Sequence, residues 1–276
     1  MLRYALVLAI AAVAAGQEPE TADAIMAKVA ASQEARSHSR WCSVFQQTVL
    51  VRVRRANHKL SREERSEFTV TSCAKGFEKK LTHFTGKYAG KDGMVAYDHP
   101  HYQYKGLDED GLLASELADG FTNDPKSRDG IGKDLFPLTA DEQKKYEFNL
   151  TGKETLHGRD VFRLSFCPKP HTDSAPWCGE VLVDAVEFEP VLITTHLAHN
   201  LPFLVRTLLG TDLKYLGFSV AYQRAAEGAW LPVSYGGEFE VRAVFFFKRG
   251  ISVSLANSGF NRVDARSQIR FGPILP

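Results

Sequence analysis

The chain has 276 residues, with 34 Lys or Arg against 33 Asp or Glu and a formal net charge of +1. That balance supplies no global field for nucleic acid or an anionic membrane surface. A content of 44% hydrophobic and 11% aromatic residues excludes a disordered chain and calls for a substantial core.

The opening residues, MLRYALVLAIAAVAAGQEPE, place Arg3 before an apolar run from Tyr4 to Ala15. Small residues then offer cleavage after Ala14 or Gly16. This order predicts a secretory signal peptide over residues 1–16, and the run is too short to cross a bilayer as a helix. No later stretch approaches eighteen uninterrupted apolar residues. The expectation is a periplasmic chain, exported and cleaved, that is not an integral membrane protein, with residues 17–276 forming a single domain.

TADAIMAKVAASQEAR follows, with Ala22, Ile25, Met26, Val29 and Ala30 at helical spacing and Thr21 or Asp23 able to cap the start. Strand signals take over at RWCSVFQQTVLVRVRRANHKLSREERSEFTVTSC, read as two long strands folded about Asn57-His58. Partners in such a hairpin sum to 115, which sets Cys42 opposite Cys73. In an oxidising compartment the four cysteines permit three disulfide connectivities. The register favours Cys42 with Cys73, and a second hairpin, GRDVFRLSFC against CGEVLVDAV, favours Cys167 with Cys178. No CxxC spacing occurs, so neither zinc nor thioredoxin-type chemistry is expected.

EKKLTHFTGKYA, GMVAYDH and HYQYKG read as further strands. Asp98, His99 and His101, with His83 near them, could place imidazoles on one face, but Pro100 breaks the strand. A solvated turn is the better reading, and no metal is expected. LDEDGLLASELADGFTND predicts a helix from Leu112, Leu113 and Leu117, and LTADEQKKYEF predicts a second, with Thr139 and Glu142 as a capping box. Between them NDPKSRDGIGKD lacks the spacing of a calcium loop. Residues of about 107–146 thus form a helical insertion.

From Glu147 the chain is almost all strand: EFNLTGKET, RDVFRLSFC, EVLVDAVEFE, PVLITTHLAH, KYLGFSVAYQRA, WLPVSYGGEFEVRAVFFF, ISVSLANS and GFNRVDARSQIRF. Only LPFLVRTLLGT interrupts, with Pro202 and Gly210 bounding a short apolar helix. The expected fold is mostly β (α+β). A large curved antiparallel sheet or incomplete barrel would carry the N-terminal helix and the helical insertion on its concave face.

The phrases GKETLHGRDVFRLSF, residues 152–166, and GEVLVDAVEFEPVLITT, residues 179–195, resemble the lipoprotein-carrier superfamily that includes LolA, LolB and RseB. In that superfamily a strand–turn–strand with Gly-Arg in its turn precedes a strand ending in Asp and a Pro-led strand. The resemblance implies a half-barrel whose helices lid an apolar cavity able to hold acyl chains.

No catalytic constellation emerges, since G-x-S-x-G is absent and SYGGEFE precedes a strand rather than a helix. No cofactor and no enzymatic activity are expected. The candidate ligand face comprises Phe162, Leu164, Phe166, Leu192, Phe218 and Phe246, recurring with period two, and Phe203, Leu204 and Leu208 from the short helix. A lipid or acylated protein is the expected ligand. Arg52, Arg54 and Arg55, in a hairpin whose Arg62, Arg65 and glutamates form a wet ion-paired face, are candidate contacts for a headgroup or an envelope protein partner. The alternatives are an envelope-stress sensor or interaction module and, third, an envelope enzyme of unknown chemistry.

Overall fold

The computed structural model describes residues 20–37, 41–73, 76–104, 108–122, 136–170, 172, 175, 177–198, 212–225, 228, 230–243 and 247–264. Residues 1–16, read as a signal peptide, and the short helix expected at 201–210 lie outside these. So do Phe203, Leu204, Leu208 and Phe246.

Helix α1 spans Ala22–Ser37. The Thr21 hydroxyl accepts from the Ala24 N–H at 3.2 Å, the capping bond expected of it. Its apolar stripe is the one the sequence shows: Ile25, Met26 and Val29 are fully buried and Ala30 nearly so.

Four strands follow: β1 (Trp41–Arg55), β2 (Leu60–Cys73), β3 (Gly76–Gly90) and β4 (Gly93–Tyr97). Helices α2 (Glu109–Thr122) and α3 (Ala140–Gln143) form the insertion. Seven more strands follow among the described residues: β5 (Tyr146–Leu156), β6 (Arg159–Pro168), β7 (Trp177–Asp184), β8 (Pro190–Leu197), β9 (Asp212–Arg224), β10 (Trp230–Ala243) and β11 (Phe247–Asp264).

All eleven lie in one antiparallel sheet ordered β4-β3-β2-β1-β11-β10-β9-β8-β7-β6-β5. The first strand pairs with the last, which joins two meanders, and the insertion runs from one sheet edge to the other. Edges β4 and β5 do not pair with each other, so the sheet is open rather than a closed barrel.

The long hairpin holds the expected register over most of its length, Ser43 facing Ser72 and Val53 facing Arg62. Its turn differs from the two-residue one predicted. The Arg55 N–H donates to the Lys59 carbonyl and the His58 N–H to Arg55, with His58 left-handed at φ 61°. This three-residue loop shifts the partner sum by one, so Arg54 faces Leu60. A bulge at Ser61 then restores it, the Ser61 hydroxyl donating to the Val53 carbonyl at 3.1 Å. Two one-residue offsets cancel. The disulfides are Cys42–Cys73 and Cys167–Cys178, as the register favours.

Three further expectations need correction. HYQYKG is no strand: residues 101–104 are irregular, with His101 left-handed at φ 57°. The helix at LTADEQKKYEF is one turn, in which Thr139 accepts from the Glu142 N–H while the Glu142 carboxylate turns to Lys145 instead of closing the box. ISVSLANS and GFNRVD are continuous in β11, whose pairing with β1 is offset at one point between Val44 and Gln46, and residues 265–271 of the second phrase lie outside the described residues.

Candidate functional site

The helices lie on one face of the sheet, and rows of facing residues trace that inner face from strand to strand. One row runs Leu164 (β6), Val181 (β7), Ile193 (β8), Val220 (β9), Tyr235 (β10), Leu255 (β11) and Val49 (β1). A second runs Phe166, Gly179, Thr195, Phe218, Gly237, Val253 and Val51. Side chains with the same parity share a face, so these rows form one surface. Leu164, Val181, Ile193, Val220 and Val253 are at most 1% exposed and join Ile25, Met26 and Val29 in a single buried cluster.

The structure thus brings Phe162, Leu164, Phe166 and Phe218 onto one face, as the period-two pattern predicts. Leu192 is not among them. It registers with Leu182 and Ala221, one residue out of phase, and Ile193 takes the inner position. The sequence ITT gives no cue for which of two adjacent aliphatics turns inward.

On β2 the same rows change character. Val53 faces Arg62, and Val51 faces Glu64. Arg62 is 1% exposed and is not part of the wet face expected for the hairpin. Its Nε donates to Glu64 at 2.7 Å, one terminal nitrogen to Asp108 at 2.6 Å and the other to the Tyr102 carbonyl at 2.7 Å. The Tyr97 hydroxyl donates to the same Glu64 carboxylate at 2.6 Å, and the guanidinium lies 5.0 Å from the Tyr97 ring. Tyr97 registers with Gly86, where a Cβ would come within 2.2 Å of its ring. Only glycine admits the ring there.

Asp108 immediately precedes α2 and accepts from the Tyr104 and Gly111 N–H groups at 3.1 and 2.9 Å. Burial pushes its carboxyl up. The two backbone donors and the Arg62 charge outweigh that and hold it below the usual carboxylate range. Burial, then the bond to Glu64, pushes the Tyr97 hydroxyl well above its ordinary value, so it stays a donor.

Two more cations fasten α2. Arg249 on β11 contacts Asp110 at 2.6 Å, and Lys79 on β3 donates to the Thr122 carbonyl at the helix end at 2.8 Å. Burial lowers the Lys79 pKa to about 8, against the opposing pull of Asp119. Among the α2 side chains described, Ala114 is buried and Leu112 is 43% exposed. Charged side chains hold the helix at both ends. A shallow cavity of 230 Å³ opens beside it, lined by Tyr102, Gln103, Leu112 and Ser115 among others.

The phrases that carry the family resemblance build a second polar network at the opposite end of the sheet. His157 and Gly158 both have positive φ, 49° and 79°, as a two-residue type I′ hairpin turn requires. The turn launches Arg159 toward the buried Asp184 at 2.6 Å and Glu187 at 2.9 Å. Glu187 also accepts from the Trp230 indole at 2.9 Å and pairs with Arg224. This network pins the β7–β8 turn, against which α1 rests through Ser32 to the Phe188 carbonyl and Gln33 to Glu189.

At the basic hairpin Arg52 pairs with Glu63, which Lys87 also holds at 2.7 Å. Both contacts pull the Glu63 pKa down, Lys87 foremost. Arg54 and Arg55 are exposed at the tip. Among the described residues no cluster of His, Cys, Asp and Glu could hold a metal, and no helix is long and apolar enough to cross a membrane.

No family model and no curated protein matches the chain. Solved structures do. The chain is similar to a LolA superfamily protein. That protein, from Nitrosomonas europaea, is 11% identical over 91% of this chain and 96% of its own, with a TM-score of 0.33. A DUF1329 family protein from Desulfovibrio piger is 9% identical over 90% and 96%, with a TM-score of 0.37. MucB of Pseudomonas aeruginosa, solved in complex with MucA, is 11% identical over 86% and 94%, with a TM-score of 0.25. Of these, the Nitrosomonas europaea protein carries the LolA superfamily name. At such identities the likeness extends to no individual residue.

Proposed function

We propose that this chain is an exported, non-enzymatic binding protein of the cell envelope that holds the acyl group of a lipid or lipoprotein on the inner face of its open sheet. Phe162, Leu164, Phe166 and Phe218 supply the apolar contacts, and α2 serves as a lid. The observation that carries this reading is the continuous apolar inner face of an open sheet, whose rows run from Leu164 to Val49 and from Phe166 to Val51. Here the helix is latched by Arg62, Arg249 and Lys79 at its ends. Charge-held contacts open without tearing apart a packed core, which suits a cover that must move to admit a chain.

Native mass spectrometry of the mature protein tests the reading. Co-purifying lipid, released more readily from Asp108→Asn than from the native chain, is the expected result. An empty protein with no thermal shift on adding acyl amphiphiles would refute it. A second reading, docking of an acidic envelope partner, is favoured by the exposed Arg54 and Arg55 at the hairpin tip. Its signature would be a partner captured by the native protein and lost on charge reversal of that pair.

A further inference from the structure

Among the described residues, two buried polar atoms on the inner face have no hydrogen-bond partner: the Tyr235 hydroxyl and the Gln47 side-chain carbonyl. Tyr235 is 2% exposed and Gln47 1%. Folded proteins rarely leave such groups unmatched, and each instance calls for an explanation. The orientation of Gln47 is determined by its neighbours. The Pro232 carbonyl can only accept, so Asn257 must present its NH2 there, at 2.8 Å. Asn257 is left offering its oxygen to the Gln47 NH2 at 3.1 Å. Gln47 therefore keeps a lone acceptor, and a flip would break the chain of bonds.

The surroundings define what could satisfy these atoms. Tyr235 faces Val220 and Leu255 and stacks on Phe218 at 5.8 Å, and Leu255 in turn faces Val49. Gln47 lies one row along β1, facing Asn257 on β11. The two positions are two strands and two residues apart, roughly 12 Å between Cα atoms. Burial pushes the Tyr235 hydroxyl well above its ordinary pKa, so it is a neutral donor. No charge among these neighbours would compensate a carboxylate or a phosphate placed between them.

We infer that Tyr235 and Gln47 form a polar subsite within the apolar face that selects an acyl chain bearing an uncharged group able both to donate and to accept, such as an amide or hydroxyl. This rests on the acyl-binding reading and narrows it. The Tyr235 hydroxyl donates to the ligand's oxygen, and the ligand's N–H or O–H donates to the Gln47 carbonyl. A free fatty acid of the same length would have to lose its charge to enter.

The test uses dodecanoyl ethanolamide, dodecanoate and dodecane-chain detergent as probes, each displacing a fluorescent apolar dye from the full mature protein. The native chain should bind the ethanolamide about tenfold more tightly than dodecanoate. Tyr235→Phe and Gln47→Met should each bring the two within about twofold, while leaving the detergent's displacement unchanged and raising the melting temperature of the empty protein. Retention of the preference in both variants would overturn the subsite and leave acyl binding standing. Failure of every probe to displace dye from the native chain would overturn the acyl reading and the subsite with it.

Discussion

Replacing Arg62 by Met tests the latch most directly. The substitution keeps the volume of the stem and deletes a guanidinium whose three donors go to Glu64, Asp108 and the Tyr102 carbonyl. Both carboxylates sit in nearly dry surroundings, with side-chain exposures of 9% for Glu64 and 10% for Asp108. Removing one partner of a buried ion pair typically costs about 3–5 kcal/mol, because the remaining charge is stranded. Asp108 would keep its two backbone donors and Glu64 its tyrosine. The expected loss is therefore at the low end, about 3 kcal/mol. It should fall on α2 and the 98–104 segment before the sheet, since the β ladders are untouched. Hydrogen exchange should show residues 108–122 deprotected by roughly a hundredfold, with strands β6–β10 unchanged. Adding Glu64→Gln and Asp108→Asn to the Arg62→Met protein should recover most of the loss. Native-like protection of α2 in the Arg62→Met protein, with a stability change under about 1 kcal/mol, would show that the cluster does not hold the helix.

Other consequences can be checked by equilibrium unfolding. Asp108 and Asp184 both have carboxyls held below the usual range, for each of which burial opposes and hydrogen bonds prevail. Their stabilisation is complete above the unfolded value near 4 and is lost as pH falls through the folded values, so acid should release α2 and the β7–β8 turn. Lys79 acts with the opposite sense. Its folded pKa of about 8 lies below the ordinary 10.5, so the folded state binds fewer protons between those values. Stability should rise by up to roughly 3 kcal/mol across that window, and Lys79→Met should abolish the rise. Loops of 31 and 11 residues are closed by the disulfides. Paired Cys→Ala substitutions should therefore cost about 4 kcal/mol for Cys42–Cys73 and about 3 kcal/mol for Cys167–Cys178, as read from urea midpoints. Gly179→Ala would bring a Cβ to 2.0 Å from the Thr194 carbonyl oxygen and 2.8 Å from the Phe166 ring. A loss of about 3 kcal/mol is expected, and a neutral result would mean that β7 and β8 can separate there.

Much of the local chemistry was legible. Thr21 and Thr139 cap where their spacing says they should, and Ile25, Met26, Val29 and Ala30 bury the stripe their periodicity draws. The hairpin register was read from a turn at Asn57-His58 and set Cys42 opposite Cys73, although it survives through a three-residue turn and a compensating bulge at Ser61. That same register held the missed clue. It sets Arg62 opposite Val53, on the buried side, while the sequence around it is so charged that the whole hairpin reads as wet. Alternation outranks composition here: Arg52 and Glu63 face outward, and Arg62 and Glu64 face in.

The sequence by itself determined the strands, the insertion, the disulfide partners and an apolar face, because each depends on residues near one another or on a simple period. Only the tertiary structure decided which strand joins β1 to the rest of the sheet, that Ile193 rather than Leu192 turns inward, and that Arg62, Tyr97 and Asp108 meet. It also decided that Tyr235 and Gln47 are left unmatched. Those outcomes depend on which rows of an eleven-stranded sheet come into register across the β1–β11 junction, where residues some two hundred positions apart meet, as Gln47 and Asn257 do, and no local pattern carries that distance.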